Sequence, residues 1–188
     1  MSQEELVAAA RGGDQQAFEE LVRQTYVGTY TLAYRLTGNE EDARDVVQET
    51  YLRAWKAIRR FRGDAQFSTW LYRITANTAS STTQRRNRSR SESLDDGGPE
   101  VIDERLFANP EASSEASALH DRLAAAVAEL PPKLRTIVVL KDIYDLPHEA
   151  IAEELGISVA AAKVRLHRAR KRLRDVLFED RGGVARAV

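Results

Sequence analysis

Apolar residues recur at three- and four-residue steps along most of the chain, a spacing that predicts amphipathic helices rather than strands. In the N-terminal half the pattern predicts four helices, over 3–11, 15–37, 40–61 and from Thr69 onward. Capping residues precede the last three, namely Asp14, Asn39 and Ser68. The core-facing positions of the second helix are predicted to be Phe18, Leu21, Val22, Tyr26, Tyr30, Ala33 and Leu36. Those of the third helix are predicted to be Ala43, Val46, Val47, Thr50, Ala54 and Ile58.

The C-terminal half continues in helices and ends in a helix-turn-helix pattern. A helix over 115–130 is broken by Pro131 and Pro132, and a second helix follows them. Pro147 suits the first turn of a third helix, Gly156 stops that helix, and Ser158 caps a fourth. The core-facing positions of the helix over 115–130 are predicted to be Leu119, Leu123, Ala126, Val127 and Leu130.

The last helix has an apolar back and a cationic front. The predicted back consists of Ala162, Leu166, Ala169, Leu173 and Val176. The front consists of Lys163, His167, Arg170, Lys171 and Arg174, with Arg165, Arg168 and Arg172 on the flanks. Such a helix suits the major groove of DNA, where flank charges contact phosphates and front residues contact base edges. A solvated basic helix is the alternative, and the turn in front of the helix favours DNA binding.

Charge is unevenly distributed, although the net charge is only −1. Segment 92–121 contains nine acids and one base, whereas segment 163–174 contains seven Lys or Arg and no acid. A second basic cluster lies at 85–90. We therefore predict an all-α chain with two small helical domains that contact nucleic acid. The predicted divisions are a first domain at 1–90, a flexible acidic linker at 91–114, a four-helix helix-turn-helix domain at 115–180 and a disordered tail at 181–188.

Several function classes are excluded or disfavoured. The chain has no Cys, and its three His have no metal-ligand spacing, so no metal or cofactor is expected. Phosphate-binding loops and the common catalytic motifs are missing, which indicates that the protein is not an enzyme. Neither a signal peptide nor a membrane-spanning run is visible, so we expect a cytoplasmic protein without membrane insertion.

Two surfaces of the N-terminal half have alternative interpretations. Leu52 is an apolar residue on an otherwise polar helix face, where it is either a contact patch or an isolated exposed leucine. That face comprises Asp45, Gln48, Glu49, Leu52 and Lys56. In the fourth helix, aromatic, Arg and Asn side chains are interleaved, a pattern typical of binding to unpaired bases. The aromatic residues could instead be core.

Five stretches together resemble the bacterial extracytoplasmic-function (group 4) sigma factors of RNA polymerase. They are GDQQAFEELVRQTY, DARDVVQETYLRAW, RFRGDAQFSTWLYRITANT, LPPKLRTIVVLKDIYDLPHEAIAEELGIS and KVRLHRARKRLR. They occur in the order and spacing of that family, over about residues 4–177. The resemblance implies that core RNA polymerase (β′ clamp helices and β flap), promoter DNA and an anti-sigma factor are partners.

The resemblance also implies residue roles. The polymerase contacts would be Asp45, Gln48, Glu49 and Leu52. The −10 element would be captured and melted by Phe61, Arg62, Gly63, Asp64, Trp70, Tyr72, Arg73 and Asn77. The −35 element would be read by Lys163, Val164, His167 and Arg168, with Arg165 and Lys171 on phosphates. The small alanines before Lys163 leave most of the polar readout to Lys163 and His167.

The leading hypothesis is therefore an initiation factor that works only with polymerase. A free-standing helix-turn-helix regulator, whose N-terminal helices form a sensor or dimer module, is the alternative. A third possibility is a protein-interaction bundle with a solvated basic helix, and insensitivity of binding to salt would favour it.

Overall fold

The computed structural model describes the backbone of two ranges, 1–92 and 114–182. Side chains are described in the same ranges except at 83–92, 114–118, 120–121 and 179–182. All regular structure in these ranges is helical, which confirms the all-α prediction. The chain separates into two compact units, Met1–Ser93 and Leu94–Val188. The predicted acidic linker lies almost wholly outside the described residues, as does the tail beyond Gly182, so both stay predictions.

The N-terminal unit is a bundle of four helices. They are α1 (Gln3–Arg11), α2 (Gln15–Thr37), α3 (Glu40–Ala57) and α4 (Phe67–Glu92), with a tighter helical turn at Ile58–Arg60 after α3. The third helix is therefore shorter than the predicted 40–61. Its continuation tightens because the amide of Phe61 donates to the carbonyl of Ile58 at 3.0 Å, a three-residue step rather than the four of an α-helix.

Capping side chains set the starts of α2 and α3. The Asp14 carboxylate accepts a hydrogen bond from the amide of Ala17 at 3.1 Å, and the Asn39 side chain accepts one from Asp42 at 2.8 Å. Gly38 adopts a left-handed conformation (φ 84°) at the end of α2. These three predicted helix boundaries are confirmed.

The inner face of α3 is buried as predicted, and it packs against α2 and α4. The buried residues on this face are Ala43, Val46, Val47, Thr50 and Ala54, together with Ile58 in the following turn. Leu21 of α2 and Leu71 of α4 are fully buried in the same unit. The prediction was wrong at Tyr26, whose side chain is 46% exposed. Its ring stacks on that of Tyr30 at a centroid distance of 6.2 Å, along the surface of α2.

A hydroxyl cluster links α2 to α3 beside the apolar core. The Tyr51 hydroxyl of α3 lies 2.9 Å from the Thr25 hydroxyl and donates to the Thr29 hydroxyl at 3.1 Å. The two threonines donate in turn to backbone carbonyls of α2. Burial raises the pKa of Tyr51, and this effect outweighs the hydrogen bonds with the two threonines, which lower it. Burial therefore favours a neutral Tyr51 in the folded state.

The C-terminal unit contains the four predicted helices. They are α5 (Ser114–Ala128), α6 (Pro132–Val138), α7 (His148–Leu155) and α8 (Val159–Gly182), with a wide helical turn at Val139–Ile143 after α6. Several boundaries differ from the prediction, and α5, for example, ends at Ala128 rather than at 130. Pro147 is the N-cap of α7 rather than its first residue, since its backbone is extended (ψ 148°) and its carbonyl accepts from Ile151 at 3.1 Å. Helix α8 continues to Gly182, two residues into the predicted tail at 181–188.

The buried side of α5 is rotated relative to the prediction. Ala126, Val127 and Leu130 are buried as expected, but Leu119 and Leu123 are exposed. Small side chains explain the difference, since Ala124 and Ala128 are buried and allow the helix to approach its neighbours closely. The prediction assumed that the larger leucines face the core, and it was therefore wrong for the first half of α5.

We predict that Tyr51→Phe lowers the free energy of unfolding by about 1 kcal/mol, because it removes the hydroxyl that Thr25 and Thr29 contact. The pKa of Tyr51 is raised on folding, so its contribution is complete below about pH 10 and declines as the pH rises through the folded-state pKa. Urea denaturation across this pH range should show that the difference in unfolding free energy between the wild type and Tyr51→Phe narrows above about pH 10.

Tyr26→Phe is the matched control, because Tyr26 is on the surface of the same bundle. Equal destabilisation by both substitutions would contradict a specific role for the Tyr51 hydroxyl.

Candidate nucleic-acid interface

The turn between α7 and α8 is set by one glycine and one serine. Gly156 is left-handed (φ 61°), and the amide after it, of Ile157, donates back to the carbonyl of Ala152 at 3.0 Å. The Ser158 hydroxyl then accepts from the amide of Ala161 at 3.1 Å. The chain reverses within a few residues, as the helix-turn-helix prediction requires. Both predicted capping residues are confirmed.

The back of α8 is apolar and packs against α6 and α7. Ala162, Leu166, Ala169 and Leu173 are all buried. Val176 was also predicted to be buried, but it is exposed. Arg122 of α5 reaches the carbonyl of the next residue, Leu177, at 3.5 Å, but the Val176 side chain itself has no such cover. The buried stripe therefore ends at Leu173.

The predicted −35 residues lie on the outer side of α8. Five of them are exposed, namely Lys163, Val164, His167, Arg168 and Lys171. Arg165 is half-buried, which suits a flank position better than a base-facing one. Because the buried stripe fixes the rotation of the helix, these side chains project away from the unit together.

One predicted front residue, Arg170, is held by a partner that the sequence reasoning missed. Asp142, in the wide turn after α6, accepts from Arg170 Nε at 3.0 Å and also contacts Nη2. The hydrogen bonds that Arg170 donates to Asp142 raise the pKa of Arg170. The two residues are 28 positions apart, so no local sequence signal could have paired them. A neighbouring ion pair joins Lys141, in the wide turn, to Asp145, just after the turn, at 2.7 Å.

In the N-terminal unit, the loop between the turn at Ile58–Arg60 and α4 rests on an aromatic cluster. Phe61 is only 8% exposed, and its ring lies 6.0 Å from Phe67 and 5.0 Å from Trp70. At the tip of the loop, Arg62 and Asp64 form an exposed ion pair of 3.0 Å. The predicted −10 residues Arg62, Gly63 and Asp64 are thus accessible, whereas the Phe61 side chain anchors the loop.

Helix α4 begins two residues earlier than predicted. Phe67 is its first residue and is buried, and the carbonyl of Gln66 accepts from Trp70 at 3.1 Å. Ser68 therefore lies within the first turn, and its prediction as N-cap was wrong. Burial of Phe67 against Phe61 brings the chain into the helix before Ser68 is reached.

The four predicted −10 residues of α4 do not share one side of the helix. Trp70, Arg73 and Asn77 follow steps of three and four residues and lie on one side. Tyr72 lies about 200° from Trp70 around the helix and faces α2. Its hydroxyl is so close to Gly28 that an added Cβ there would be 3.0 Å away. Tyr72 therefore helps to pack α4 on α2, and the other three residues are candidates for one DNA-facing row.

An open groove of about 850 Å³ separates α1 from the loop. Val7, Ala8 and Arg11 line one wall, and Gly63, Asp64 and Gln66 line the other. Sequence reasoning assigned no role to α1, because its short amphipathic pattern carries no distinctive motif. In the structure, α1 is the nearest helix to the predicted −10 loop on that side.

The outer face of α3 carries the predicted polymerase contacts. Asp45 and Gln48 are exposed, Glu49 is half-buried, and Leu52 is 49% exposed. Glu49 accepts from Arg53 Nε at 2.7 Å. The structure adds a residue that the sequence reasoning missed.

Trp55 lies one helical turn after Leu52 and is 37% exposed. The other side of its ring packs on Phe18 at 4.9 Å. Trp55 could have been predicted from the sequence, because its three-residue spacing from Leu52 places both residues on one side of the helix. Leu52 is thus part of a two-residue apolar patch rather than isolated, which favours the contact interpretation of this face.

Neither a metal site nor a membrane span emerges from the described residues. No group of three potential ligand side chains is found within the described ranges. Within the same ranges, no helix is long and apolar enough to cross a bilayer.

The two units match two family models that define the class of protein. Residues 21–90 match sigma-70 region 2, and residues 120–173 match sigma-70 region 4. The first range contains α3, the loop and α4, and the second contains the helix-turn-helix. The chain is therefore a sigma-70-type protein that contains regions 2 and 4.

Two relatives narrow the class further. The extracytoplasmic-function (ECF) RNA polymerase sigma factor SigE of Mycolicibacterium smegmatis is 39% identical, with coverage of 93% of this chain and 68% of that protein. SigW of Bacillus subtilis, also an ECF sigma factor, is 33% identical, with coverage of 91% and 94%. The chain belongs to the ECF family of RNA polymerase sigma factors, as the sequence motifs predicted.

Solved structures show the same fold. CnrH in complex with the cytosolic domain of CnrY matches with a TM-score of 0.60 and 30% identity, over 93% of this chain and 96% of that one. The sigma factor RpoE of Bartonella quintana, in complex with the anti-sigma factor NepR, matches with a TM-score of 0.65 and 22% identity, over 85% and 96%.

We predict that Gly156→Ala destabilises the C-terminal unit by about 1–2 kcal/mol, because an L-residue is strained at φ 61°. An added Cβ would meet nothing within 4 Å, so the cost is one of backbone conformation alone. Gly156→Asn should recover part of the stability, since Asn tolerates the left-handed region. Equal losses for both variants in a urea melt would refute this explanation of the turn.

Proposed function

We propose that this chain binds core RNA polymerase, directs it to promoters with −10 and −35 elements, and helps to melt the promoter DNA. The observation that carries the proposal is the presence, in one chain, of a cationic helix-turn-helix unit and a separate unit with an exposed α3 face and an aromatic loop-to-helix junction. A free-standing regulator needs only the first. Catalysis belongs to the polymerase, and the chain supplies promoter recognition in the bacterial cytoplasm.

Helix α8 is the proposed reader of the −35 duplex. Lys163, Val164, His167 and Arg168 are proposed to face bases, and the half-buried Arg165 and the exposed Lys171 to contact phosphates. The proposal is supported by the seven cations without an acid between 163 and 174. Phosphate contacts position the helix, and base contacts then discriminate between sequences.

The loop and the first turns of α4 are the proposed −10 site. A base that leaves the duplex loses stacking worth a few kcal/mol, and aromatic or polar pockets offset that loss. Arg62, Gly63 and Asp64 are exposed on a loop that Phe61 anchors. Trp70, Arg73 and Asn77 continue from it along one side of α4. Tyr72 is proposed to act by packing α4 on α2, because its hydroxyl lies against Gly28.

The outer face of α3 is the proposed polymerase contact. Asp45, Gln48, Glu49 and Leu52 would bind the β′ clamp helices, and Trp55 extends the apolar part of the patch. Exposed apolar residues rimmed by polar ones are typical of protein interfaces. The β flap is a further proposed contact of the C-terminal unit.

An inhibitory protein partner is proposed as well. CnrH, to which this chain is 30% identical, was solved with the cytosolic domain of CnrY bound. With no Cys in this chain, any thiol-based sensing would reside in the partner. A partner that covers the α3 face or α8 would block the corresponding contact by direct competition.

Run-off transcription with core polymerase tests the central proposal. We expect a specific transcript only when the chain and a promoter from its own regulatory region are both present. A chain that binds that region tightly by itself, yet yields no transcript with polymerase, would instead be the free-standing regulator.

We predict that Gln48→Ala combined with Leu52→Ala weakens binding to core polymerase at least tenfold. Loss of two interface side chains at about 1 kcal/mol each has this effect. Gln24→Ala with Val27→Ala is the matched control, because these residues are exposed on α2 of the same unit. Equal affinity of both double variants for polymerase, at unchanged thermal stability, would argue against the α3 interface.

A further inference from the structure

Arg170 is placed in the cationic row of α8, yet its guanidinium is already occupied. It follows Lys163 by seven residues and His167 by three, so it belongs to the same outer row. The Asp142 carboxylate accepts hydrogen bonds from both Nε and Nη2 of the Arg170 guanidinium. The fork geometry that binds a carboxylate with two hydrogen bonds also binds a phosphate. Asp142 and a DNA phosphate therefore compete for the same edge of Arg170.

Stability does not explain the pair. The side chains of Arg170 and Asp142 are 52% and 31% exposed, and ion pairs with such access to water contribute roughly 0–1 kcal/mol. The back of α8 is already fixed by four buried apolar residues, so the helix does not depend on this contact for its position. The consequence of the pair is electrostatic, because it neutralises one cation in the row that faces DNA.

We propose that Asp142 withholds Arg170 from the phosphate backbone and thereby limits the affinity of α8 for DNA of any sequence. This inference deepens the role proposed for α8 and rests on it. Each phosphate that a cation neutralises makes the plot of log binding constant against log salt concentration steeper by about 0.9, whatever the DNA sequence. With one such contact withheld, base-reading residues such as Lys163 account for a larger share of binding. Asp142 is thus a specificity-determining residue that need not touch DNA.

The neighbouring ion pair provides a matched control. Asp145, two residues after the wide turn, pairs with Lys141 and has a side chain that is 91% exposed. Asp145→Asn therefore makes the same change in net charge as Asp142→Asn. Neither residue of that pair is on α8. A general effect of net charge would appear equally in both variants, whereas release of Arg170 would appear only in Asp142→Asn.

The experiment measures binding of the full chain to a promoter duplex and to a scrambled duplex across a salt series that starts at low salt. For Asp142→Asn we expect tighter binding to both duplexes, by up to about eightfold at 0.1 M salt, and a slope steeper by about 0.9. Binding by Asp145→Asn and by Arg170→Gln should keep the wild-type slope. The double variant Asp142→Asn with Arg170→Gln should return to the wild-type slope, since the released cation is then gone.

Three results would each overturn the proposal. They are an unchanged slope in Asp142→Asn, an equal gain in Asp145→Asn, and a gain that persists in the double variant. A shallower slope in Arg170→Gln alone would also refute it, because Arg170 would then contact phosphate in the wild type. The proposed initiation role is read separately, by run-off transcription with the wild type, so its failure would be distinguished from failure of this inference.

Discussion

Burial of a narrow apolar stripe on α8 controls where the charges of the C-terminal unit point. Two of its four buried residues are alanines with no exposed surface, Ala162 and Ala169, so neighbouring helices can approach the backbone of α8 closely. A rotation of the helix would expose Leu166 and Leu173 and bury cations without partners, which is strongly unfavourable. The apolar stripe thus determines the outer row, and the side chains of that row need no further support.

In the N-terminal unit, three aromatic rings have the corresponding role. Phe61, Phe67 and Trp70 lie within 6.0 Å of one another, and they join the end of one helical turn to the start of α4. The loop between Phe61 and Phe67 is short and fixed at both ends, so its tip is presented in a limited range of positions. If the loop holds a base as proposed, its order before binding would reduce the conformational entropy that is lost on binding.

Local signals predicted most of the fold. Caps at Asp14, Asn39 and Ser158 and the left-handed glycines at 38 and 156 act within one helical turn, so they can be recognised in the sequence. Errors arose where tertiary packing decided the outcome. Phe67 is buried at the start of α4, so Ser68 is not the cap. In α5 the small alanines are buried and Leu119 is exposed. Tyr72 packs against Gly28 and does not lie in the row of Trp70. The Asp142–Arg170 pair was invisible for the same reason, since helix periodicity does not report contacts between distant segments.

Two separate compact units also explain how moderate contacts can produce specific promoter binding. Each unit has its own buried core, so either can engage its target without the other. When one unit is bound, the chain between them holds the second near its site and raises its effective concentration. Specificity then multiplies, because a sequence must satisfy both units, while the affinity of either one stays low enough for release. A cationic row as strong as that of α8 would undermine this balance by binding any duplex, which is why control of its charge matters more than the addition of further contacts.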